Sequence, residues 1–107
     1  MKHVMVRYTV RPEAAEENVR LIEAVFERLR QSSPDGLSYA SYRLDDGVTF
    51  VHVASVADSD NNPLRQLSEF QLFTSTIRDR CDMAPVTATL HEIGRYTHSS
   101  FAAPVLA

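Results

Sequence analysis

The chain of 107 residues lacks the residues that build several common kinds of functional site. Cys81 is the only cysteine, which excludes an internal disulfide and a cysteine-based zinc site. Only three glycines occur, and neither a phosphate-binding glycine-rich loop nor a G-x-S-x-G nucleophile motif is present. Nucleotide-binding loops and serine-hydrolase chemistry are therefore not expected.

The chain also lacks a block of positive charge and a long apolar run. Its 14 acidic and 11 basic residues are interspersed and give a net charge of −3, which argues against nucleic-acid binding. No apolar run reaches membrane-spanning length, and the first ten residues are too polar for a signal peptide. We expect a cytoplasmic protein that binds neither nucleic acid nor membrane.

A β-hairpin signal is the clearest feature that is present. Two runs rich in Tyr, Val and Phe flank Asp45-Asp46-Gly47 between Ser38 and Val56. The second run has apolar residues on both faces, with Phe50 on one and Val51 on the other, so we expect a central strand covered on two sides.

Further elements lie on both sides of the hairpin. Lys2 to Val10 alternates with period two, as a strand does. Pro12 begins a helix with an apolar stripe at Val19, Ile22, Val25, Phe26 and Leu29. A second amphipathic helix is predicted from Pro63 to Asp82, broken by Met83-Ala84-Pro85, and a last strand from Val86 to Tyr96.

The order strand, helix, strand, strand, helix, strand predicts an α+β, ferredoxin-like βαββαβ domain over residues 1–96, followed by a tail at 97–107. Right-handed crossovers would place the first and third strands at the centre of a four-stranded antiparallel sheet with both helices on one face. No strand has a wholly polar face, so the uncovered side of the sheet favours a homodimer in which two sheets pack together.

The chain resembles the antibiotic-biosynthesis-monooxygenase-like (ABM) domains of the dimeric α/β-barrel superfamily. The resemblance covers Lys2 to about Tyr96 and depends on the element order, the DDG hairpin, the run VHVASVADSDNNPLRQLSEFQLF and the closing TATLHEIGRY. It implies a homodimer with a cavity between helices and sheet in each subunit. Some members oxidise phenolic or quinol-type substrates without metal or flavin, some degrade haem, and others have no established activity.

The chain departs from these relatives at two points. It has no Trp, which the oxygenases commonly place at the cavity together with Asn and Tyr or Arg groups. The predicted second helix contains no His, so the usual haem ligand is missing and haem binding is the weakest of the alternatives.

We predict eight site residues. The candidates for catalysis are a phenol, a guanidinium and two imidazoles that could move a proton or hold an anion: Tyr42, Arg43, His52 and His91. The candidates for substrate binding are Tyr8, Asn61, Phe70 and Phe73. Each has a structural alternative, such as interface packing for the tyrosines, ion pairing for the arginines and core packing for the phenylalanines.

Three strand histidines, His3, His52 and His91, could in principle form a metal or acid–base cluster. Cross-strand register is not readable from the sequence, and we favour three separate histidines with no metal and no cofactor.

The sequence leaves two functions open. The first is a cofactor-independent monooxygenase-like domain acting on a small aromatic or polyketide-like compound. The alternative is a non-catalytic homodimeric protein that binds a small hydrophobic ligand or takes part in a stress response.

Overall fold

One antiparallel sheet organises the computed structural model, which describes residues 1–98. Its strands are β1 (Lys2–Val10), β2 (Leu37–Arg43), β3 (Thr49–Val56) and β4 (Cys81–Leu90), in the spatial order β2-β3-β1-β4. The two strands with apolar residues on both faces, β1 and β3, are central, as predicted. With its helices, the chain has the predicted α+β ferredoxin-like fold.

The first helix begins as the proline predicts. A 3-10 turn, Pro12–Ala14, leads into α1 (Ala15–Ser32), whose first turn carries Glu16 and Glu17 at the positive end of the helix dipole. The predicted apolar stripe faces the sheet: Val25 is fully buried, and Phe26 stacks on Tyr39 at 5.2 Å between ring centroids.

The hairpin turn lies where the DDG signal places it. Gly47 has a φ of 78°, a left-handed conformation that costs glycine little. The Asp46 carboxylate accepts hydrogen bonds from the N–H groups of Val48 and Thr49 and from the Thr49 hydroxyl. These bonds lower the pKa of Asp46, the Thr49 hydroxyl contributing most.

The second helical region is shorter and more broken than predicted. It consists of a 3-10 turn, Pro63–Gln66, then α2 (Ser68–Ser75) and α3 (Ile77–Arg80). Asn62 caps the 3-10 turn, its Oδ1 accepting a hydrogen bond from the Leu64 N–H at 3.0 Å.

The predicted helix end at Asp82 and the predicted strand from Val86 to Tyr96 are both wrong, because β4 begins at Cys81 and ends at Leu90. Pro85 is not a helix breaker here. It lies in a bulge of an edge strand, where the pairing shifts between Arg7 and Thr9 and a missing N–H is tolerated. The strand ends at Leu90 because its only neighbour, β1, pairs with it no further than His3.

The two faces of the sheet differ in what covers them. The helices cover the face that contains Tyr8, Phe50 and His52, and the main core forms there. The opposite face, which we call the outer face, has no covering element among residues 1–98. It carries the apolar residues Met5, Ala40, Tyr42, Val51, Val53, Val86 and Ala88, placed together by the strand pairing.

The predicted tail contributes no regular structure in its described part. Residues 91–98, which include the first two residues of the predicted tail, are exposed and belong to no helix or strand. The rest of the predicted tail, 99–107, lies outside the described residues. Within residues 1–98, no helix is both long and apolar enough to cross a membrane.

Candidate functional site

A cavity of about 440 Å³ lies between the helices and the covered face of the sheet. Its volume is within the range of roughly 300–1,000 Å³ that is usual for small-molecule sites. Its walls are mostly apolar and come from all four strands, the 3-10 turn with its cap and the second helical region: Val4, Val6, Tyr8, Tyr39, His52, Ala54, Val56, Asn62, Leu64, Arg65, Phe70, Phe73, Thr74, Ile77, Arg78 and Pro85.

Aromatic rings form one wall of the cavity. Phe70 and Phe73 lie 6.4 Å apart between centroids, and Tyr39 meets Phe70 edge-on at 6.3 Å. The His52 ring lies 5.3 Å from Phe73 and is stacked with Tyr8 at 5.4 Å. Rings in this arrangement favour a flat aromatic ligand that lies against this wall.

His52 is the polar centre of this wall and is only 4% exposed. The pleat of β3 turns it toward the helices, opposite Val6 of β1. Its Nε2 lies 2.7 Å from the Tyr8 hydroxyl, and its Nδ1 lies 2.6 Å from the Ser41 hydroxyl and 2.9 Å from the Tyr39 hydroxyl.

The hydrogen bonds continue behind Tyr8 to a buried arginine. The Asn18 Nδ2 donates to the Tyr8 hydroxyl at 2.9 Å, and the Arg80 Nε donates to Asn18 Oδ1 at 2.9 Å. We call this series, from Arg80 through Asn18 and Tyr8 to His52 and its partners Tyr39 and Ser41, the polar chain. Every described member other than Tyr39 and Ser41 is at least nine-tenths buried.

Arg80 determines which group donates and which accepts in each hydrogen bond of the polar chain. A guanidinium only donates, so Asn18 must turn its oxygen toward Arg80 and its NH₂ group toward Tyr8. The Tyr8 oxygen accepts that bond, and its proton is then directed to His52 Nε2. A neutral His52 therefore carries its proton on Nδ1 and donates it toward Ser41 and Tyr39.

Burial keeps the polar chain uncharged at His52 and the tyrosines. Desolvation lowers the pKa of His52 to about 4, so the imidazole is neutral near pH 7. Desolvation also raises the pKa of Tyr39 to about 12 and that of Tyr8 further still, although the bond from Asn18 opposes the shift at Tyr8.

Arg80 is a buried cation, 3% exposed, without a carboxylate within salt-bridge distance among residues 1–98. Besides Asn18 it donates to the Thr76 hydroxyl at 2.6 Å and the Phe73 carbonyl at 3.1 Å, and it lies 5.3 Å from the centre of the Phe73 ring. Burial lowers its pKa, while Tyr8, Glu17 and Asp79 oppose this at longer range. The positive charge therefore acts on the cavity from behind Tyr8.

Four of the eight predicted site residues line this cavity: Tyr8, His52, Phe70 and Phe73. The structure does not bring the other four to it. Tyr42 is 58% exposed on the outer face, and Arg43 pairs with Glu16 at 3.0 Å. His91 is exposed beyond β4, and Asn61 is exposed, with its Oδ1 accepting a bond from Gln66.

The three histidines are far from forming one group. His3 lies on the outer face, where its Nδ1 is 2.6 Å from the Ser55 hydroxyl, while His52 faces the helices. Within the part of the chain that the structure describes, no three His, Cys, Asp or Glu side chains are arranged to hold a metal ion.

The sequence reasoning missed Asn18, Arg80 and Tyr39 as site residues. A signal for the first two was present in the helix periodicity. Asn18 is three residues from Ala15 and seven from Val25, and Arg80 is three residues from Ile77, so both polar side chains fall on apolar faces. A polar residue at such a position needs a buried partner, which the polar chain supplies.

The comparisons with known proteins agree with this fold. An antibiotic biosynthesis monooxygenase structure superposes with a TM-score of 0.73 at 18% identity, over 88% of this chain and all of the other. Proteins provisionally named as such monooxygenases from Nitrosomonas europaea and Bacteroides thetaiotaomicron give TM-scores of 0.73 and 0.75, each at 13% identity. They cover 88% and 91% of this chain and 100% and 93% of their own lengths.

Sequence comparison adds nothing to this structural likeness. No protein-family model and no curated protein matches the chain. At these low identities the superpositions show the fold alone: the chain has the fold of the antibiotic biosynthesis monooxygenase structures, as predicted. The activity in the names of those structures belongs to them.

Proposed function

We propose that the protein is a cofactor-independent monooxygenase-like enzyme that acts on a small aromatic or polyketide-like compound. The observation that carries this proposal is the neutral, buried His52 in an aromatic cavity, connected to the buried Arg80 by the polar chain. A neutral imidazole accepts a proton, and a nearby cation favours the anion that forms when the substrate gives one up.

Tyr8 is the group placed to receive the substrate proton. Its oxygen accepts one bond from Asn18 and donates one to His52, which leaves a lone pair for a substrate O–H or acidic C–H. As the substrate proton moves to Tyr8, the Tyr8 proton moves to His52 Nε2. The products are a substrate anion and an imidazolium that attract each other strongly at low dielectric.

Dioxygen is the oxidant in this proposal. The substrate carbanion transfers its electrons to O₂ and a C–O bond forms, giving a peroxide that takes the proton back from His52. Loss of water from the hydroperoxide leaves a ketone, so that a CH₂ group and O₂ become a C=O group and H₂O. The atoms and electrons balance without a metal or flavin.

Anthrone, a three-ring compound with one acidic CH₂ group, is a suitable probe. We expect the protein to accelerate O₂ uptake and to place one atom of ¹⁸O₂ in the ketone. His52→Gln and Tyr8→Phe should each slow the reaction by roughly 10²-fold or more, the contribution of a positioned acid–base group. Arg28→Gln, at an exposed position of α1, is the control. No acceleration by the wild type, or equal rates in all variants, would contradict the proposal.

The second candidate, a non-catalytic ligand-binding protein, is favoured by a different observation. Both His52 nitrogens already have protein partners, and a pKa of about 4 makes the imidazole a weak base. This candidate predicts saturable binding of three-ring aromatics, seen as quenching of tyrosine fluorescence, with no O₂ uptake.

The outer face supports a homodimer in either case. Val86 and Met83 are 64% and 65% exposed beside the apolar residues of the central strands. The outer face is largely apolar, although the exposed Arg7 lies between Val51 and Val86. A largely apolar sheet face is stabilised when a second copy covers it, and two such sheets can pack face to face. We propose that two copies of this chain pair through this face.

A further inference from the structure

The charged residues of the cavity wall are all of one sign. Arg65 and Arg78 are among the lining residues, and no Asp or Glu is among them. A cavity with cations and no carboxylate in its described walls attracts an anion and disfavours a cationic ligand.

Both arginines are exposed, and neither guanidinium makes a hydrogen bond or ion pair among residues 1–98, although the Arg65 carbonyl accepts a bond from the Gln71 side chain at 2.8 Å. Four other arginines, by contrast, each pair with a glutamate: Arg11, Arg30, Arg43 and Arg95. Arg20 and Arg28 are exposed as well but do not line this cavity, so they provide matched controls.

The backbone fixes where the side chains of the two arginines begin. Each follows directly on a buried apolar residue that also lines the cavity, Arg65 after Leu64 and Arg78 after Ile77. Leu64 is 2% exposed and Ile77 is 8% exposed, so these anchors hold the start of each arginine at the cavity wall. Their long side chains keep the charged ends in water, while the stems lie along the cavity wall.

The buried Arg80 adds to the same electrostatic field. It is separated from the cavity by Asn18 and Tyr8, and Glu17 and Asp79 act on it only from beyond salt-bridge distance. Positive charge therefore borders the cavity both at the lining residues Arg65 and Arg78 and behind Tyr8.

We infer that the ligand is an aromatic compound bearing a carboxylate, held with its rings against Phe70 and Phe73 and its carboxylate between Arg65 and Arg78. This inference rests on the proposed aromatic cavity and names the class of compound that enters it. A guanidinium binds a carboxylate through charge-assisted hydrogen bonds, and two of them on the cavity wall would fix the orientation of the rings against Phe70 and Phe73.

Two probes with the same rings separate the contribution of the carboxylate. Binding of anthracene-2-carboxylate and of the neutral anthracene-2-methanol to the full chain is measured by fluorescence titration at low and high salt. We expect the carboxylate to bind at least tenfold more tightly at low salt and to lose most of that advantage at high salt.

The arginine variants test the site itself. Arg65→Gln and Arg78→Gln should each weaken carboxylate binding by roughly three- to tenfold, and the double variant by more, while binding of the alcohol stays unchanged. Arg20→Gln and Arg28→Gln should alter neither probe. All four positions are exposed, so the variants should fold, which far-UV circular dichroism checks.

The outcomes separate the inference from the proposed function. Equal binding of the two probes, or equal weakening of both by the arginine variants, would overturn the carboxylate inference and leave the aromatic cavity supported. Failure of the wild type to bind either probe would overturn the aromatic cavity and the carboxylate inference together.

Discussion

Asn18 is the residue that joins the buried cation to the cavity. Its side chain satisfies the Arg80 guanidinium on one side and the Tyr8 hydroxyl on the other, with no exposure to water. A buried polar group that loses its partner costs about 1–3 kcal/mol, and a charged one costs more.

Asn18→Leu keeps the size of the side chain and removes both bonds. We expect it to lower the free energy of unfolding by about 3 kcal/mol, measured by urea denaturation. Asn18→Asp, which keeps an acceptor for Arg80, should be less destabilising. A leucine variant within about 0.5 kcal/mol of the wild type would show that the polar chain contributes little to stability.

His52 makes stability depend on pH over a defined range. Its pKa is lowered from 6.5 to about 4 by burial, so the unfolded chain binds a proton more readily than the folded one between these values. The free energy of unfolding is therefore undiminished by this residue above pH 6.5 and decreases as the pH falls from 6.5 toward 4. The lowered pKa corresponds to about 3 kcal/mol.

The pH dependence can be assigned to this residue by substitution. His52→Gln should be less stable near pH 7 and should lack this component of the decrease in unfolding free energy, measured by denaturant titration at each pH. His91→Gln, at an exposed position, should keep the wild-type slope. Identical slopes for wild type and His52→Gln would contradict the burial of a neutral imidazole.

At the scale of elements, the two loops that flank β2 depend on glycines with positive φ. Gly36 has a φ of 75°, and an added Cβ would lie 3.2 Å from the Ala57 Cβ. Gly47 has a φ of 78° but would meet nothing closer than 3.9 Å. A side chain is strained at both positions and crowded at only one.

Three alanine substitutions should therefore rank in a fixed order of stability loss. Gly36→Ala should cost the most, Gly47→Ala about 1 kcal/mol, and Gly94→Ala nothing measurable, because Gly94 has open space around it and no positive φ. Thermal unfolding of the three variants measures the order. A Gly94 variant as destabilised as the Gly36 variant would contradict it.

The accuracy of the sequence prediction also differs from element to element. Period-two alternation and the DDG turn predicted β1 and the hairpin closely, because those signals are local. The start of β4 was mispredicted because the tolerance for Pro85 depends on an edge position and a bulge, which only the assembled sheet creates. Tertiary pairing with β1, rather than local sequence, also ends the strand at Leu90.

The candidate site was predictable only where the sequence pattern shows on which face of a strand or helix a side chain lies. Tyr8, His52, Phe70 and Phe73 fall on covered faces by simple alternation or helical spacing. The polar chain could not be predicted, because its members come from α1, α3 and three strands, β1, β2 and β3, and meet only through the cross-strand register and the packing of the helices on the sheet. Tyr42 and its neighbour Ser41 lie on opposite faces of β2, and the sequence alone does not show which of the two faces is covered.

At the scale of the whole molecule, the proposed homodimer depends on the outer face. Light scattering should give a mass near twice 12.0 kDa. Val53→Lys, which puts a charge on that face in central strand β3, should shift the protein toward a monomer, whereas Ala24→Lys on the exposed side of α1 should not. A monomeric wild type would contradict the proposal that two sheets pair.

The protonation of His52 tests the central claim, that Arg80 sets the direction of the polar chain across the molecule. Long-range ¹H–¹⁵N spectra of the wild type near pH 7 distinguish the two neutral tautomers of the imidazole. The account predicts a proton on Nδ1 in the wild type. In Asn18→Asp, whose carboxylate accepts from both Arg80 and Tyr8, the proton should move to Nε2. A wild-type His52 protonated on Nε2, or on both nitrogens, would contradict the account.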